Sequence, residues 1–464
     1  MENEKTFDEI YDELLEKIVD LIEEKKFKEV RDLFIEELTT EADAAELLEG
    51  IIDRCGVESA VIVFRMLPKA VSVEVFAYLP IDDQVSIINK ITDKEIQFIM
   101  DEMDFDDMID VMEELPATIV NKILEQTPKE ERKLINTFLN YPEDSAGSIM
   151  TPDYISLMTN WTVRQAMQHI QQAALDSETI YTCYVKDWGR KLTGIVSLRA
   201  LVIADDDMKI RDLMHDDFIS VNVYDDQEVV SEAFKKYDFL AVPVVDNEQR
   251  LVGIITVDDI IDVIEEEATE DIERMAGIID SSDKEYLDMS VFHHVKKRLP
   301  WLLVVMCSYM ITGGIIADFE AALSKVICLV AYMPMLMGTG GNSGSQSATL
   351  IIRGMSTDEI DTKDALRVIW KELRVSFIVG FSLSALNFLR IVFIDGNGVP
   401  VACAVCAAML VIVMAAKSIG SMLPMIAKKV GIDPALMAAP LISSLTDMVS
   451  VITYFVLASK ILGI

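Results

Sequence analysis

Cysteine is scarce in this chain: six in 464 residues, at Cys55, Cys183, Cys307, Cys328, Cys403 and Cys406. They are scattered and four lie inside apolar runs, which excludes a disulfide framework and suits a reduced cytoplasm for the soluble part. Cys403 and Cys406 form a CxxC, but Val401, Ala402, Ala404 and Val405 around them make it membrane packing rather than a metal or redox motif. The opening residues MENEKTFDEI are acidic and lack the apolar stretch of a secretory signal, so none is expected. Basic residues are also in short supply. Residues 1–299 hold 30 Lys and Arg against 68 Asp and Glu, near −38, whereas 300–464 hold 11 against 10. Such a surplus repels nucleic acid and calls for cations.

Length alone suggests about three modules. What is abundant after residue 298 is apolar sequence in runs approaching the roughly 20 residues that a helix needs to cross a bilayer. Five spans are expected, at 299–317, 326–352, 375–394, 399–426 and 435–457. Lys296, Lys297, Arg298, Arg353, Lys363, Arg367, Lys371, Arg374, Lys428 and Lys429 gather on one side of them. The other side has only Lys325, Arg390 and Lys460, so the N-terminal region is expected to be cytoplasmic and the C-terminus outside.

Ahead of the spans lies a duplicated unit. Met150-Thr-Pro-Asp-Tyr-Ile155 is echoed by Met214-His-Asp-Asp-Phe-Ile219, and Leu192-Thr-Gly194-Ile-Val-Ser by Leu251-Val-Gly253-Ile-Ile-Thr. The order of strand, helix, strand, turn, strand, helix, with glycine expected in the turn, resembles a tandem pair of cystathionine-β-synthase (CBS) domains, which sense small ligands. Residues 1–142 read as helices alone. An apolar residue recurs every twelve positions at Leu67, Leu79, Ile91, Met103 and Leu115, punctuated by Pro68, Pro80 and Pro116, the pattern of a stacked helical superhelix.

Two features inside the spans carry chemistry. In the second, Pro334 precedes Gly341-Asn342-Ser-Gly344-Ser-Gln346, and glycine and hydroxyl groups in lipid are tolerated where backbone lines a cavity or helices pack closely. An interrupted helix with carbonyls facing an ion is expected there. In the fifth, Asp447 is an ionisable group deep in an apolar helix, with Ser443 one turn earlier. One carboxylate with neutral oxygens is a hard-cation site, and Mg²⁺ keeps most of its waters. Lys417 in the fourth span is awkward beside a cation path and is expected to snorkel or to pair, with Asp433 as a candidate.

The proline and the Gly341-Asn342-x-Gly344-x-Gln346 motif, five spans, a CBS pair and an acidic helical N-domain together resemble MgtE-type magnesium channels over essentially the whole chain. The resemblance implies a multidomain membrane protein: an all-α helical-repeat N-domain (1–142), an α/β tandem CBS pair (143–263), a connecting plug helix (264–298) and a five-helix all-α transmembrane domain (299–464). It implies no enzyme but a homodimer in the lipid bilayer that moves Mg²⁺ into the cytoplasm, with Asp447 and the Ser443 carbonyl at the pore. Ala439 stands where some members carry a polar group and offers no side-chain oxygen. Cytosolic Mg²⁺ would close the pore through Asp226, Glu228, Asp238, Asp259, Asp262, Glu267, Glu270 and Asp271, with Asp106 and Asp110 of the N-domain facing the CBS pair and Asp433 beside the fifth span. ATP binding by the CBS pair stays open. So do transport of Mn²⁺, Co²⁺ or Ca²⁺ and a CBS-based receptor, whereas a membrane aspartyl protease lacks its second deep carboxylate.

Overall fold

The computed structural model describes residues 7–37, 40–175, 177–278, 286, 289–319, 326–357, 359–437 and 439–463. The chain divides into a unit of residues 1–264 and a unit of residues 265–464.

The first unit begins with ten helices: α1 (Phe7–Glu23), α2 (Phe27–Glu37), α3 (Glu41–Cys55), α4 (Val57–Phe64), α5 (Lys69–Ala77), α6 (Ile81–Ile88), α7 (Asp93–Glu102), α8 (Phe105–Glu114), α9 (Ala117–Gln126) and α10 (Lys129–Phe138). From α5 to α10 each starts about twelve residues after the last. Pro68, Pro80, Pro116 and Pro128 stand just before α5, α6, α9 and α10, where a missing N–H costs nothing. Leu67, Leu79 and Leu115 are buried, and Ile91 and Met103 pack against the same core. No helix of eight to ten residues buries enough surface alone, so stacking supplies the stability.

Two three-stranded sheets follow, β1 (Tyr154–Met158), β2 (Thr179–Lys186) and β3 (Leu192–Ser197), then β4 (Val221–Asn222), β5 (Ala241–Val245) and β6 (Leu251–Thr256). In each, the first pair is parallel and the second antiparallel. The first repeat carries α11 (Val163–Ala173), α12 (Leu198–Ile203) and α13 (Ile210–Leu213); the second carries α14 (Gln227–Tyr237) and α15 (Val257–Met275). The repeats exchange their leading segments. Thr151 and Ile254 trade backbone hydrogen bonds of 2.8 and 2.9 Å, and His215 and Ile195 do the same at 2.9 and 3.0 Å. Gly194 and Gly253 lie within strands rather than in turns. A Cβ on Gly194 would sit 2.8 Å from the His215 carbonyl, and one on Gly253 2.8 Å from the Thr151 carbonyl, so the crossing strand requires glycine.

The second unit holds α16 (Val291–Asp318), a 3₁₀ turn (Ile327–Tyr332), α17 (Met333–Ser356), α18 (Ala365–Phe393), α19 (Val399–Val430) and α20 (Ala439–Leu462). Among the described residues, α16, α18 with its leading turn, α19 and α20 are long and apolar enough to cross a membrane. α17 has the length, but its glycines, serines and Asn342 lower its hydropathy. α19 packs against α17, α18 and α20 and is the most buried of the spans. The Tyr454 hydroxyl on α20 donates to the Leu329 carbonyl at 2.9 Å and holds the 3₁₀ turn in place.

The second span is therefore not interrupted at the glycine motif. Pro334 starts α17, and the helix runs unbroken through Gly338 to Gly344 and on to Ser356, its carbonyls taken up in the helical ladder. The glycines serve close approach instead. A Cβ on Gly340 would lie 2.7 Å from the Ser450 hydroxyl; one on Gly344 would lie 2.8 Å from Ile442 and 3.1 Å from the Ala416 carbonyl; one on Gly420 would overlap the Gly344 backbone.

Candidate ion pathway and acidic regulatory cluster

Asp447 sits on α20 at 8% exposure, and its carboxylate has no hydrogen bond or ion pair to any described residue. The same helix presents Ser443 and Ser450 to α17: a Cβ on Gly341 would be 3.4 Å from the Ser443 hydroxyl, and the buried Ser450 hydroxyl has no partner among the described residues. The Ser443 carbonyl already accepts the Thr446 hydroxyl at 3.0 Å. Glycines of α17 thus bring the helix backbone against the segment carrying Asp447. One carboxylate among hydroxyls and carbonyls fits a hard cation that retains its water shell. Asn342 and Gln346 lie one turn apart on the exposed side of α17, and Pro334 is exposed at its start, so within one chain none of these three joins Asp447. Nothing is described of the Ala439 side chain.

The soluble carboxylates divide into groups. Asp106 on α8 and Asp259 on α15 come together, joined by Asp104, Asp107, Glu178 and Asp258. Burial pushes Asp106 up to about 8, with the charges of Asp259 and Glu178 adding to it, and leaves its Oδ1 without a hydrogen bond. Burial likewise raises Asp107 and Glu178 to about 7, with Asp104 next in each case. Asp259 reaches about 6, also by burial, although the Thr256 hydroxyl donates to it at 2.7 Å. Among the described residues no three such side chains converge closely enough to chelate a bare ion. The arrangement fits a hydrated cation that cancels charge across α8, β2 and α15.

Asp110 is exposed on α8, and Asp262 lies one turn beyond Asp259. Asp226 caps α14 by accepting the Glu228 N–H at 2.9 Å, and Asp238 ends that helix in the left-handed region at φ 53°. Asp226, Glu228 and Asp238 thus stand at the two ends of α14. Farther along α15, Arg274 pairs with Glu270 and, at 2.8 Å, with Asp433, which also caps Ala435 at 2.7 Å. Burial and the nearby Asp433 charge raise Asp271 above the ordinary carboxylate range. Glu267 lies on the same helix, half-buried.

Sequence reasoning missed Asp104, Asp107, Glu178, Asp258 and Arg274. The run Asp104-Phe-Asp-Asp at the start of a helix was the available signal for the first two; Glu178 has none, because only the fold brings the start of β2 beneath α8. The expected pairing of Lys417 with Asp433 also does not occur. Lys417 is buried in α19 and donates to the Ser347 hydroxyl at 3.2 Å, with Glu372 of α18 4.0 Å away, while Asp433 is held by Arg274.

A cleft of about 360 Å³ opens between the CBS repeats, lined by Tyr184, Ile195, Asp217, Phe218, Asp238 and Phe239 among others. The Tyr184 hydroxyl is buried there without a partner among the described residues.

Over 92% of its length the chain is 36% identical to the magnesium transporter MgtE of Thermus thermophilus, covering 95% of that protein. It belongs to the MgtE family of magnesium transporters. The MgtE protein of Bacillus subtilis is 32% identical over 97% of both chains. Family models match in three places: the MgtE divalent cation transporter at 333–457, the MgtE intracellular N domain at 39–144, and the CBS domain at 210–266. Among solved structures, the soluble part of a magnesium transporter is 32% identical, covers 56% of this chain and 99% of its own, and has a TM-score of 0.49. The cytosolic domain of the Mg²⁺ channel MgtE in complex with ATP is 32% identical over 53% of this chain and 97% of its own, with a TM-score of 0.48.

Proposed function

We propose that this member of the MgtE family carries Mg²⁺ into the cytoplasm along α17 and α20, past Asp447, and that cytosolic Mg²⁺ closes it. The observation that carries the pore assignment is the unpartnered Asp447 carboxylate, buried in a spanning helix against the glycine face of α17. A carboxylate kept in such a place without a protein partner is expensive unless a cation visits it. Asp447 binds hydrated Mg²⁺, and the Ser443 carbonyl and the Asn342 and Gln346 amides take part through water. A second copy of the chain completes the path: α16 and α18 leave most of their apolar surface uncovered within one chain, to be met by lipid and by the partner.

For the gate, like charges that repel in the absence of a cation are bridged in its presence, so Mg²⁺ favours one packing of the helical N-domain, the CBS pair and α15 over others. Asp106 and Asp259 with their neighbours form one such layer. Asp226, Glu228 and Asp238 on α14, and Asp262, Glu267, Glu270 and Asp271 with Asp433, form others, and Asp110 extends the first. Several weak sites acting together make the response steep.

The test is Mg²⁺ uptake into proteoliposomes. Asp447→Ala is expected to bring uptake to the level of empty vesicles. Neutralising Glu267, Glu270 and Asp271 together is expected to leave uptake running at high internal Mg²⁺. Full uptake by Asp447→Ala would remove the pore assignment. The CBS cleft supports a second ligand, a nucleotide such as ATP, because it couples aromatic walls to an unsatisfied tyrosine hydroxyl; ATP that fails to protect the full chain against thermal unfolding would remove that assignment.

A further inference from the structure

Lys417 is buried inside α19, 11 residues, about 16 Å of helix, from Lys428 at the end of that helix. It does not snorkel. Its ammonium donates to the Ser347 hydroxyl at 3.2 Å; that hydroxyl is fully buried on α17 and donates onward to the Glu372 carboxylate of α18 at 2.6 Å; and the two charges stand 4.0 Å apart. Three helices are thus tied through one serine. Their position matters as much as the bonding. A Cβ on Gly344 would meet the Ala416 carbonyl of α19 at 3.1 Å and the Thr446 methyl of α20 at 3.2 Å. Lys417 is the next residue after the first and Asp447 the next after the second. Lys417 and Asp447 thus each stand one residue from the helix crossing at Gly344.

A fixed positive charge there would oppose a divalent cation at Asp447. We propose that Glu372 is the counter-charge that cancels Lys417 beside the cation path, acting through Ser347 and not as an ion ligand. The proposal rests on the Asp447 reading above and deepens it: the affinity of the pore for its cation is set partly by a neutral triad outside the path. Removing the carboxylate exposes the lysine and weakens cation entry. Removing the lysine exposes the carboxylate and strengthens it. Removing both restores neutrality.

The experiment is the Mg²⁺ concentration dependence of uptake by the full chain in proteoliposomes, intact and as Glu372→Gln, Lys417→Met and the double variant, with thermal unfolding run on each. Glu372→Gln is expected to raise the half-saturating Mg²⁺ concentration about tenfold, and Lys417→Met to lower it, while the double variant returns within about threefold of the intact chain. A purely structural role would change the maximal rate and the melting temperature and leave half-saturation where it was. If Glu372→Gln does not fold, Lys417→Met against the double variant carries the same comparison. Unchanged half-saturation in the folded single variants overturns the proposal alone. An intact chain without uptake overturns the transport reading on which it stands.

Discussion

At the scale of single residues, the second unit depends on atoms that are absent. Gly344 and Gly420 let α17 and α19 meet backbone to backbone, so an added methyl has nowhere to go. Gly420→Ala and Gly344→Ala are each expected to destabilise the full chain by about 1–3 kcal/mol or more through overpacking. Gly313→Ala, whose new methyl would meet nothing within 4 Å on α16, is expected to be neutral or to gain up to about 1 kcal/mol from helix propensity. Unfolding of the detergent-solubilised protein measures both, and equal effects at the three positions would contradict the packing account. The same residues explain why the glycine motif reads ambiguously in sequence. Glycine in lipid signals either an opened backbone or a close crossing, and the choice lies in whether another helix arrives, here α19 and α20.

Among the elements, α7 shows how a short helix is held at both its start and its neighbour. Thr92 and Glu95 form a capping box, and Arg65, just past α4, grips Glu95 with bonds of 2.7 and 3.0 Å. The Arg65 hydrogen bonds are the main reason the Glu95 carboxyl is lowered to about 2. A depressed carboxylate contributes stability above its unfolded value near 4.5 that is lost as pH falls toward 2. The pair is more than a third exposed, so screening cuts its worth to about 1 kcal/mol or less. Glu95→Gln keeps the capping box and is expected to cost less than about 1 kcal/mol; Glu95→Ala also loses the cap and is expected to cost about 1–2 kcal/mol. Urea unfolding at pH 7 separates them, and the Glu95→Gln penalty should shrink below pH 4.5 and vanish only as the pH falls through about 2. The twelve-residue period made these helices legible, because each repeat places its leucine and proline by helix geometry alone.

Over the whole first unit, buried acidity makes stability depend on pH and, on the proposed reading, on Mg²⁺ as well. Burial and mutual charge raise Asp106 to about 8, Asp107 and Glu178 to about 7 and Asp259 to about 6. Raised carboxyls bind more protons folded than unfolded, so their packing is favoured at low pH and weakens as pH climbs from about 4 through these values. In the proposed gate Mg²⁺ binds the ionised forms, so the stabilisation it confers should be small at pH 5.5 and large at pH 8. Thermal unfolding of the full chain with and without millimolar Mg²⁺ at the two pH values measures this, with Asp106→Asn and Asp259→Asn expected to flatten the difference. A Mg²⁺ effect that is independent of pH would mean that the cation acts elsewhere.

The helical repeats, the duplicated CBS unit, the spans and the acidic surplus were determined by the sequence itself, because periodicity, repetition and charge are local properties that each segment carries alone. The deep position of Asp447 was legible for the same reason: an ionisable group in an apolar helix stands out without its neighbours. Only the tertiary structure decided which carboxylates meet, since Glu178 comes to Asp106 from 72 residues away. It likewise decided that α17 stays helical through its glycines, that Arg274 rather than Lys417 takes Asp433, and that Lys417 finds Glu372 through Ser347. Those outcomes depend on which helix crosses which, and a crossing is settled by the fit of several surfaces at once.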